Sequence, residues 1–247
     1  MIDLHIHSSF SPDSQLSLSK IIELTKDFIV VAITDHYDLE HNGKEFKVKN
    51  LENYIDTVSN LKNNVSQKLL VGIEIGMVPN IFPKEIPFEK IDYVIGSIHS
   101  VPGLLDVVNE DPDYVIKNFM DTTYRVVEQN DYFHSLGHLD YILRYITPKT
   151  LAPYKSEVYD ILNILVRKDK LLEVNTSGYF HALGRQHPEK WILEAFLEMG
   201  GRISIGSDAH IPEMIGYKIA DAIRFVKDIG YDEICYAEGG GIRCIPI

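Results

Sequence analysis

Short runs of apolar residues recur along the whole chain, and their length is typical of β-strands that are buried on both faces. None of these runs approaches the ~18 consecutive apolar residues that would cross a membrane. We predict seven strands, at residues 2–6, 29–33, 69–75, 93–98, 133–136, 171–174 and 202–205.

The stretches between these strands carry apolar residues at the spacing of a helix. Ser17 is placed to cap the first helix, and Pro112 and Pro188 fit the first turn of two others. Gly200 and Gly201 end the fifth helix. We predict six helices, at residues 17–24, 51–61, 112–130, 156–168, 188–199 and 218–229.

Strands and helices that alternate over the whole length predict βα units and a parallel sheet, so we expect an α/β protein. Seven strands favour a distorted barrel that is one unit short of the usual eight, a (β/α)7 variant of the TIM barrel. Residues 233–237 and 242–245 would add a hairpin or a closing strand. No linker rich in Pro, Ser or Gly interrupts the chain, and we predict one domain over residues 1–247.

Composition narrows the class of partner. The formal net charge of −12 disfavours a nucleic-acid partner, whereas a small substrate with its own positive group would be tolerated. Cys235 and Cys244 are the only cysteines, and we interpret them as buried thiols of a reducing cytosol, although two thiols on neighbouring strands remain an alternative. The first residues lack the pattern of a signal peptide, so we expect a cytoplasmic protein that has no membrane partner.

Histidines and carboxylates stand at the ends of the predicted strands. His5 and His7 alternate along one strand and therefore point to the same face. Because the carboxyl ends of barrel strands meet at one mouth, we expect these side chains to converge. Imidazole and carboxylate together suit zinc, manganese or iron. The strand-end motifs are Asp3-Leu-His-Ile-His7, Thr34-Asp-His36, Gly72-Ile-Glu74, Gly96-Ser-Ile-His99, Gly137-His138 and Ser207-Asp-Ala-His210.

Together with Ser11-Pro-Asp-Ser14 and Glu173-Val-Asn-Thr-Ser-Gly178, these motifs resemble the polymerase-and-histidinol-phosphatase family, known as PHP, and its histidinol-phosphatase branch. The resemblance covers essentially the entire chain. It implies three divalent transition metals, Zn, Mn or Fe, in a distorted (β/α)7 barrel. The first metal would be held by His5, His7, Glu74 and Asp208, the second by Glu74, His99 and His138, and the third by Asp13, His36 and His210.

Other residues receive supporting roles. By the resemblance, Asp208, His210 and Arg144 would take part in catalysis, and Arg144, Arg185 and Ser177 would bind phosphate. Three of these residues have a plainer alternative. Asp13 could be a turn residue after Pro12, and Arg144 could lie on the surface. Arg185 could replace an arginine that relatives carry just after the Asn-Thr-Ser-Gly motif, or phosphate binding could simply be poorer here. Asp3, Asp35 and Asp140 stand beside predicted ligands, and we expect them to accept the second ring N–H of those histidines. His41, His134, His181 and His187 lie outside the pattern.

The resemblance implies hydrolysis of L-histidinol phosphate by hydroxide generated on a metal, with no covalent nucleophile. Two alternatives stay open: a PHP-type phosphatase for phosphotyrosine or another small phosphoester, and a metal-binding module without catalysis. An attached-polymerase exonuclease role is disfavoured by the acidic charge. The sequence leaves the oligomeric state open.

Overall fold

The protein is described by a computed structural model over residues 1–40, 45–101, 108–147 and 149–247. Seven parallel strands pair in chain order and form a nearly closed barrel, which confirms the predicted fold class. The strands are β1 (Ile2–Ile6), β2 (Val30–Ile33), β3 (Lys68–Gly76), β4 (Tyr93–Ser97), β5 (Ser135–Leu136), β6 (Leu171–Asn175) and β7 (Ile203–Gly206).

Within the described residues, six α-helices pack around these strands, each within two residues of its predicted bounds. The first three begin with side-chain caps, since Ser17, Asn50 and Asp111 each accept a hydrogen bond from the backbone N–H three residues later. Residues 77–92, between β3 and β4, hold only a short 3-10 turn at Phe88–Lys90. The helices are α1 (Leu18–Leu24), α2 (Leu51–Lys62), α3 (Pro112–Gln129), α4 (Lys155–Arg167), α5 (Lys190–Glu198) and α6 (Ile219–Ile229).

The barrel closes where the end of β1 meets the segment that follows β7. The N–H of Asp208 donates to the carbonyl of His5 at 2.7 Å, and the N–H of His7 donates to the carbonyl of Ala209 at 2.9 Å. Strands buried on both faces fill the interior with branched side chains such as Ile6 and Ile33, which are fully buried. Closure therefore brings the predicted ligands of the first and last strands side by side.

After α6 the chain forms an antiparallel hairpin of β8 (Glu233–Glu238) and β9 (Gly241–Pro246), as the sequence predicts. Strand β8 packs against β7 and β4. Glu238 pairs with Lys68, the first residue of β3, at 2.7 Å. Because Lys68 begins its strand, the hairpin reaches the amino end of β3, and the predicted site lies at the opposite, carboxyl end.

Two expectations from the sequence are wrong in detail. Cys235 and Cys244 are directly opposite each other in the hairpin and form a disulfide, so neither is a free thiol. Pro188 precedes α5 and does not belong to its first turn, which begins at Lys190. The cysteine prediction failed because spacing along the chain does not show which residues a tight hairpin sets face to face.

Candidate metal centre

Glu74, at the end of β3, lies at the centre of a group of imidazoles. Its Oε1 is 3.0 Å from His138 Nε2 and 3.1 Å from His99 Nε2. Its Oε2 is 3.4 Å from His5 Nε2 and 3.5 Å from His7 Nε2. One carboxylate thus faces two groups of ring nitrogens with its two oxygens, which is the arrangement that a bridging ligand requires.

Two further carboxylates extend the cluster. Asp208 Oδ1 is 3.6 Å from His5 Nε2 and 3.4 Å from His7 Nε2. On the outer side, Asp13 Oδ2 is 3.1 Å from His210 Nε2 and 3.6 Å from His36 Nε2. The structure therefore brings together every residue that the sequence predicts as a metal ligand, in three neighbouring groups.

The geometry of these donors fits metal ions. Atoms that ligate one ion at ~2.0–2.1 Å stand about 3.0–3.4 Å apart, close to the spacing around Glu74. Glu74 Oε2 is buried and accepts no well-aligned hydrogen bond among the described residues, although His36 Nδ1 lies 3.0 Å away. A buried carboxylate oxygen of this kind is costly unless a cation compensates it. The His36 ring packs against the His7 ring with centroids 4.2 Å apart, so the outer and inner groups are contiguous.

The carboxylates of the site are held in their ionised form. Burial alone would raise the pKa of Glu74, yet His99, His5 and His36 hold that pKa well below its usual range. Burial would also raise the pKa of Asp208, but the nearby ring of His5 favours the charged carboxylate. The pKa of Asp208 therefore lies well below its usual range. Ionised carboxylates are the form that a metal binds.

Asp208 has a strained backbone, with a φ of 56° in the left-handed region that residues other than glycine rarely adopt. Its N–H is held by the carbonyl of His5, so barrel closure maintains this conformation. The strain turns the carboxylate toward the metal ligands, and such outliers cluster at functional sites.

Carboxylates do contact the second ring nitrogens of two histidines predicted as ligands, but they are not the carboxylates that the sequence predicts. Glu173 Oε1 contacts His5 Nδ1 at 2.5 Å, and both oxygens of Asp38 lie 3.0 Å from His99 Nδ1. A ring held through one nitrogen presents the other to a metal in a fixed direction. Glu173 is the third residue from the end of β6, as Glu74 is of β3, and this shared position is the signal that could have identified it.

The three aspartates predicted for that role bind other groups. Asp3 accepts from the backbone and hydroxyl of Ser207, which fastens β1 to the segment after β7. Asp35 accepts from the hydroxyl of Ser11, whose oxygen is 3.2 Å from His7 Nδ1, so Asp35 acts on His7 through one intermediate. Asp140 contacts the ring of His187, a residue outside the predicted site. Proximity in sequence thus predicts that these three carboxylates are buried near the site, but it does not predict which groups they contact.

Arg144 lies at the end of a 3-10 turn that follows His138, beside the predicted ligands. Its Nε donates to His187 Nε2 at 3.0 Å, and its NH2 lies 2.5 Å from the Ser177 hydroxyl and 3.4 Å from Asp208 Oδ2. The guanidinium stacks on the ring of Tyr141, 4.7 Å from its centroid. These contacts hold a positive group at the edge of a strongly acidic cluster.

The other two predicted phosphate ligands are engaged elsewhere. Arg185 pairs with Asp140 at 2.8 Å. Ser177 is buried, and its hydroxyl lies between Asn175 Oδ1 at 2.5 Å and Asp208 Oδ2 at 3.0 Å. In the described part of the chain neither residue lines the cavity over the site. Ser177 contacts Arg144 and Asp208 from behind, whereas Arg185 contacts only Asp140 in this group.

A cavity of about 440 Å³ opens over the cluster. Arg144, Tyr141 and Asp208 form part of its wall, and Phe46, Phe180 and Ile211 add apolar surface. His181 also lines it, although the sequence pattern gave this loop residue no role. His41, outside the pattern as well, is not among the described residues. The cavity combines a cation-binding floor, one arginine and apolar walls.

Comparison with known proteins agrees with this geometry. The PHP domain family model matches residues 3–177. A probable histidinol-phosphatase of Thermotoga maritima is 34% identical over 241 residues, covering 94% of this chain and 94% of that protein. The histidinol-phosphatase of Lactococcus lactis subsp. lactis is 28% identical over 260 residues, covering 96% of this chain and 94% of that protein.

The fold is similar to a solved structure as well. The crystal structure of a histidinol phosphate phosphatase from Lactococcus lactis, complexed with zinc, L-histidinol and phosphate, matches with a TM-score of 0.83. The two chains are 26% identical, and the match covers 98% of each. That neighbour binds a metal, an amino alcohol and an anion within the fold described above.

Proposed function

We propose that this chain, which belongs to the PHP domain family, is a metal-dependent phosphomonoesterase that hydrolyses L-histidinol phosphate to L-histidinol and phosphate. The observation that carries the proposal is the position of Arg144 beside Asp208, at the edge of a cavity whose floor is built from metal-type donors. A phosphate group needs both kinds of partner, because cations must neutralise its charge and a fixed fork must orient it.

The donor groups support three metal ions, held as the family resemblance implies, with Glu74 shared between two of them. When bound, these ions supply Lewis acidity toward the phosphoryl oxygens and lower the pKa of water. Zinc, manganese and iron all suit imidazole and carboxylate ligands. Elemental analysis of purified protein should find two to three transition metals per chain, and fewer than two would contradict the proposed centre.

We assign three side chains of this protein to the reaction. Arg144 binds phosphoryl oxygens and stabilises the charge that develops on them. Asp208 is ionised and buried beside the cavity, and its Oδ1 faces the rings of His5 and His7, so it would help to hold a metal beside the phosphate. Its Oδ2 contacts Ser177 and Arg144, which ties the arginine to the same donor group. His210 lies between Asp13 and Asp208 at the cavity wall, and we keep it with Asp208 as a catalytic residue.

The test is phosphate release from L-histidinol phosphate, phosphotyrosine and nucleotides by the metal-loaded protein, with chelated protein as the control. We expect histidinol phosphate to give the highest kcat/KM. A rate on phosphotyrosine far above that value would assign the site to a different phosphoester, and trapping of a phosphorylated residue during turnover would contradict direct attack by water.

We further propose that residues 1–247 form one domain, since β1 pairs with the segment after β7 and the hairpin packs on β4 and β7. Among the described residues no helix is long and apolar enough to cross a membrane. We propose a cytoplasmic location because a phosphorylated metabolite stays in the cell that makes it. We also propose that the protein has no nucleic-acid partner, because a chain of net charge −12 is a poor nucleic-acid ligand. Cell fractionation with an activity assay tests the location.

A further inference from the structure

His187 is a loop residue that the strand-end pattern excludes, yet it is fully buried beside the proposed centre. Its Nδ1 contacts Asp140 Oδ1, and its Nε2 lies 3.0 Å from Arg144 Nε. The contacts therefore run in series from Asp140 through the ring of His187 to the guanidinium of Arg144.

The partners fix the tautomer of this ring. Arginine Nε–H can only donate, so His187 Nε2 must carry the lone pair that accepts it. The proton of the neutral ring then sits on Nδ1, where the Asp140 carboxylate accepts it. A ring with the opposite tautomer would place an N–H against the Nε–H of Arg144 and would push the arginine away.

The backbone holds His187 rigidly in this place. Its N–H donates to the carbonyl of Asn175, and its carbonyl accepts from the N–H of Asn175, both at 2.9 Å, so the loop is fastened to the end of β6. Gly178 lies against the ring, because a Cβ there would stand 3.2 Å from His187 Nε2 and 2.2 Å from the carbonyl of Arg185. Arg185 in turn pairs with Asp140.

Arg144 has a competing partner that makes such a support necessary. Its NH2 lies 3.4 Å from Asp208 Oδ2, and the two opposite charges, both nearly buried, attract strongly. An arginine drawn fully onto Asp208 would be lost to a phosphate and would cover a metal ligand. A fixed acceptor at Nε restrains the guanidinium plane, which the Tyr141 ring supports from one face.

We propose that Asp140 and His187 are positioning residues that hold Arg144 in its phosphate-binding orientation. The inference rests on the proposed function in one respect, that Arg144 binds phosphate. His187, which lies outside the sequence pattern, thereby becomes part of the anion site. So does Asp140, which the sequence predicts to orient a metal ligand. Neither residue touches the reacting atoms.

The first experiment measures binding of inorganic phosphate to the metal-loaded protein by calorimetry, which needs no turnover. His187→Leu removes the acceptor and should weaken phosphate binding about ten- to a hundredfold, the cost of a lost hydrogen bond to a charged group. His187→Gln is the matched control, since its amide oxygen can accept from Arg144, and it should recover most of the affinity. Metal content should stay unchanged in both.

The second experiment repeats His187→Leu in the Arg144→Ala protein. A positioning role predicts that His187→Leu has almost no additional effect there, because the group it positions is gone. An equal loss of phosphate affinity in both backgrounds would overturn the proposal, as would unchanged affinity in the protein that retains Arg144. Loss of bound metal in His187→Leu and in Asp140→Asn would also overturn it, since the pair would then support the metal centre.

Asp140→Asn tests the same chain of contacts without a change of volume, in case His187→Leu does not fold. An amide can donate to Nδ1 and stabilise the wrong tautomer, so phosphate binding should weaken again, and only while Arg144 is present. The proposed function is tested separately by turnover of L-histidinol phosphate. A protein that binds phosphate through Arg144 and His187 but hydrolyses no phosphoester would refute the function and leave the positioning role intact.

Discussion

The mouth of the barrel and the hairpin at the opposite side are stabilised by different means. At the mouth, His5, Glu74 and Asp208 bury ionisable groups against one another, an arrangement that costs free energy unless a bound cation compensates it. In the hairpin, Ile234 and Ala237 pack against the barrel, and a disulfide joins the two strands. This fold thus keeps its chemistry and its stability at separate ends, as barrel enzymes do.

Removal of the Glu74 carboxylate should have the largest effect on the mouth of the barrel. Glu74→Gln keeps the shape of the side chain but leaves a neutral group between two sets of imidazoles, so the proposed metals would lose the ligand that they share. We expect bound metal to fall and kcat/KM to drop by roughly 10³-fold, at the upper end of what one electrostatic group contributes.

The matched control for Glu74 is Glu238→Gln in the hairpin, where the carboxylate pairs with Lys68. Exposed ion pairs contribute little, so metal content and kcat/KM should stay at the level of the unmodified protein. Elemental analysis and initial rates measure both. Equal losses in the two variants would show that the ends of the barrel are not independent.

Arg144→Ala should have the next largest effect. Arginine does not ligate a cation, so metal content should remain intact, while kcat/KM falls by about 10²-fold because developing phosphoryl charge loses its partner. Arg144→Lys should recover only part, since an ammonium cannot make the two-pronged contact. A near-normal rate in Arg144→Ala together with a large loss in Arg185→Ala would move the phosphate site to the loop after β6.

Glu173→Gln should have a smaller effect that appears first in metal binding. The carboxylate holds His5 through Nδ1, and loss of such an outer contact typically costs about 10- to 100-fold in metal affinity or activity. Titration with a chelator measures the affinity. The control is Glu198→Gln, because Glu198 is exposed on α5 and its loss should leave the metal affinity unchanged. Equal metal affinities in the two variants would refute the role of Glu173.

Loss of the hairpin disulfide should leave activity unchanged. Replacing Cys235 and Cys244 with alanine releases a short loop, and we expect unfolding free energy to fall by about 2–3 kcal/mol. Denaturant titration measures the stability, and kcat/KM on the folded protein should not change. A fall in kcat/KM with constant stability would mean that the hairpin influences the mouth after all.

The sequence predicts the strand ends well and the contacts between them less well. The convergence of His5, Glu74 and His138 could be predicted because parallel strands must bring their carboxyl ends together. His187 could not, because its position depends on how one loop returns to Asn175, and no periodicity records that return. Arg185 lies in the loop that the sequence predicts to be near the site, but its guanidinium pairs with Asp140 and does not line the cavity.

The contact between His5 and Asp208 has a consequence for biosynthesis. These two residues are about two hundred positions apart in sequence, and the backbone bond between them forms only when the barrel closes. Such long-range contacts form late, since the chain entropy of the intervening loop must be lost first. A nascent chain in which residue 208 has not yet left the ribosome therefore cannot form the complete proposed metal centre. Metal uptake would report the final step of folding, and pulse-labelled chains should acquire metal only after synthesis has passed that point.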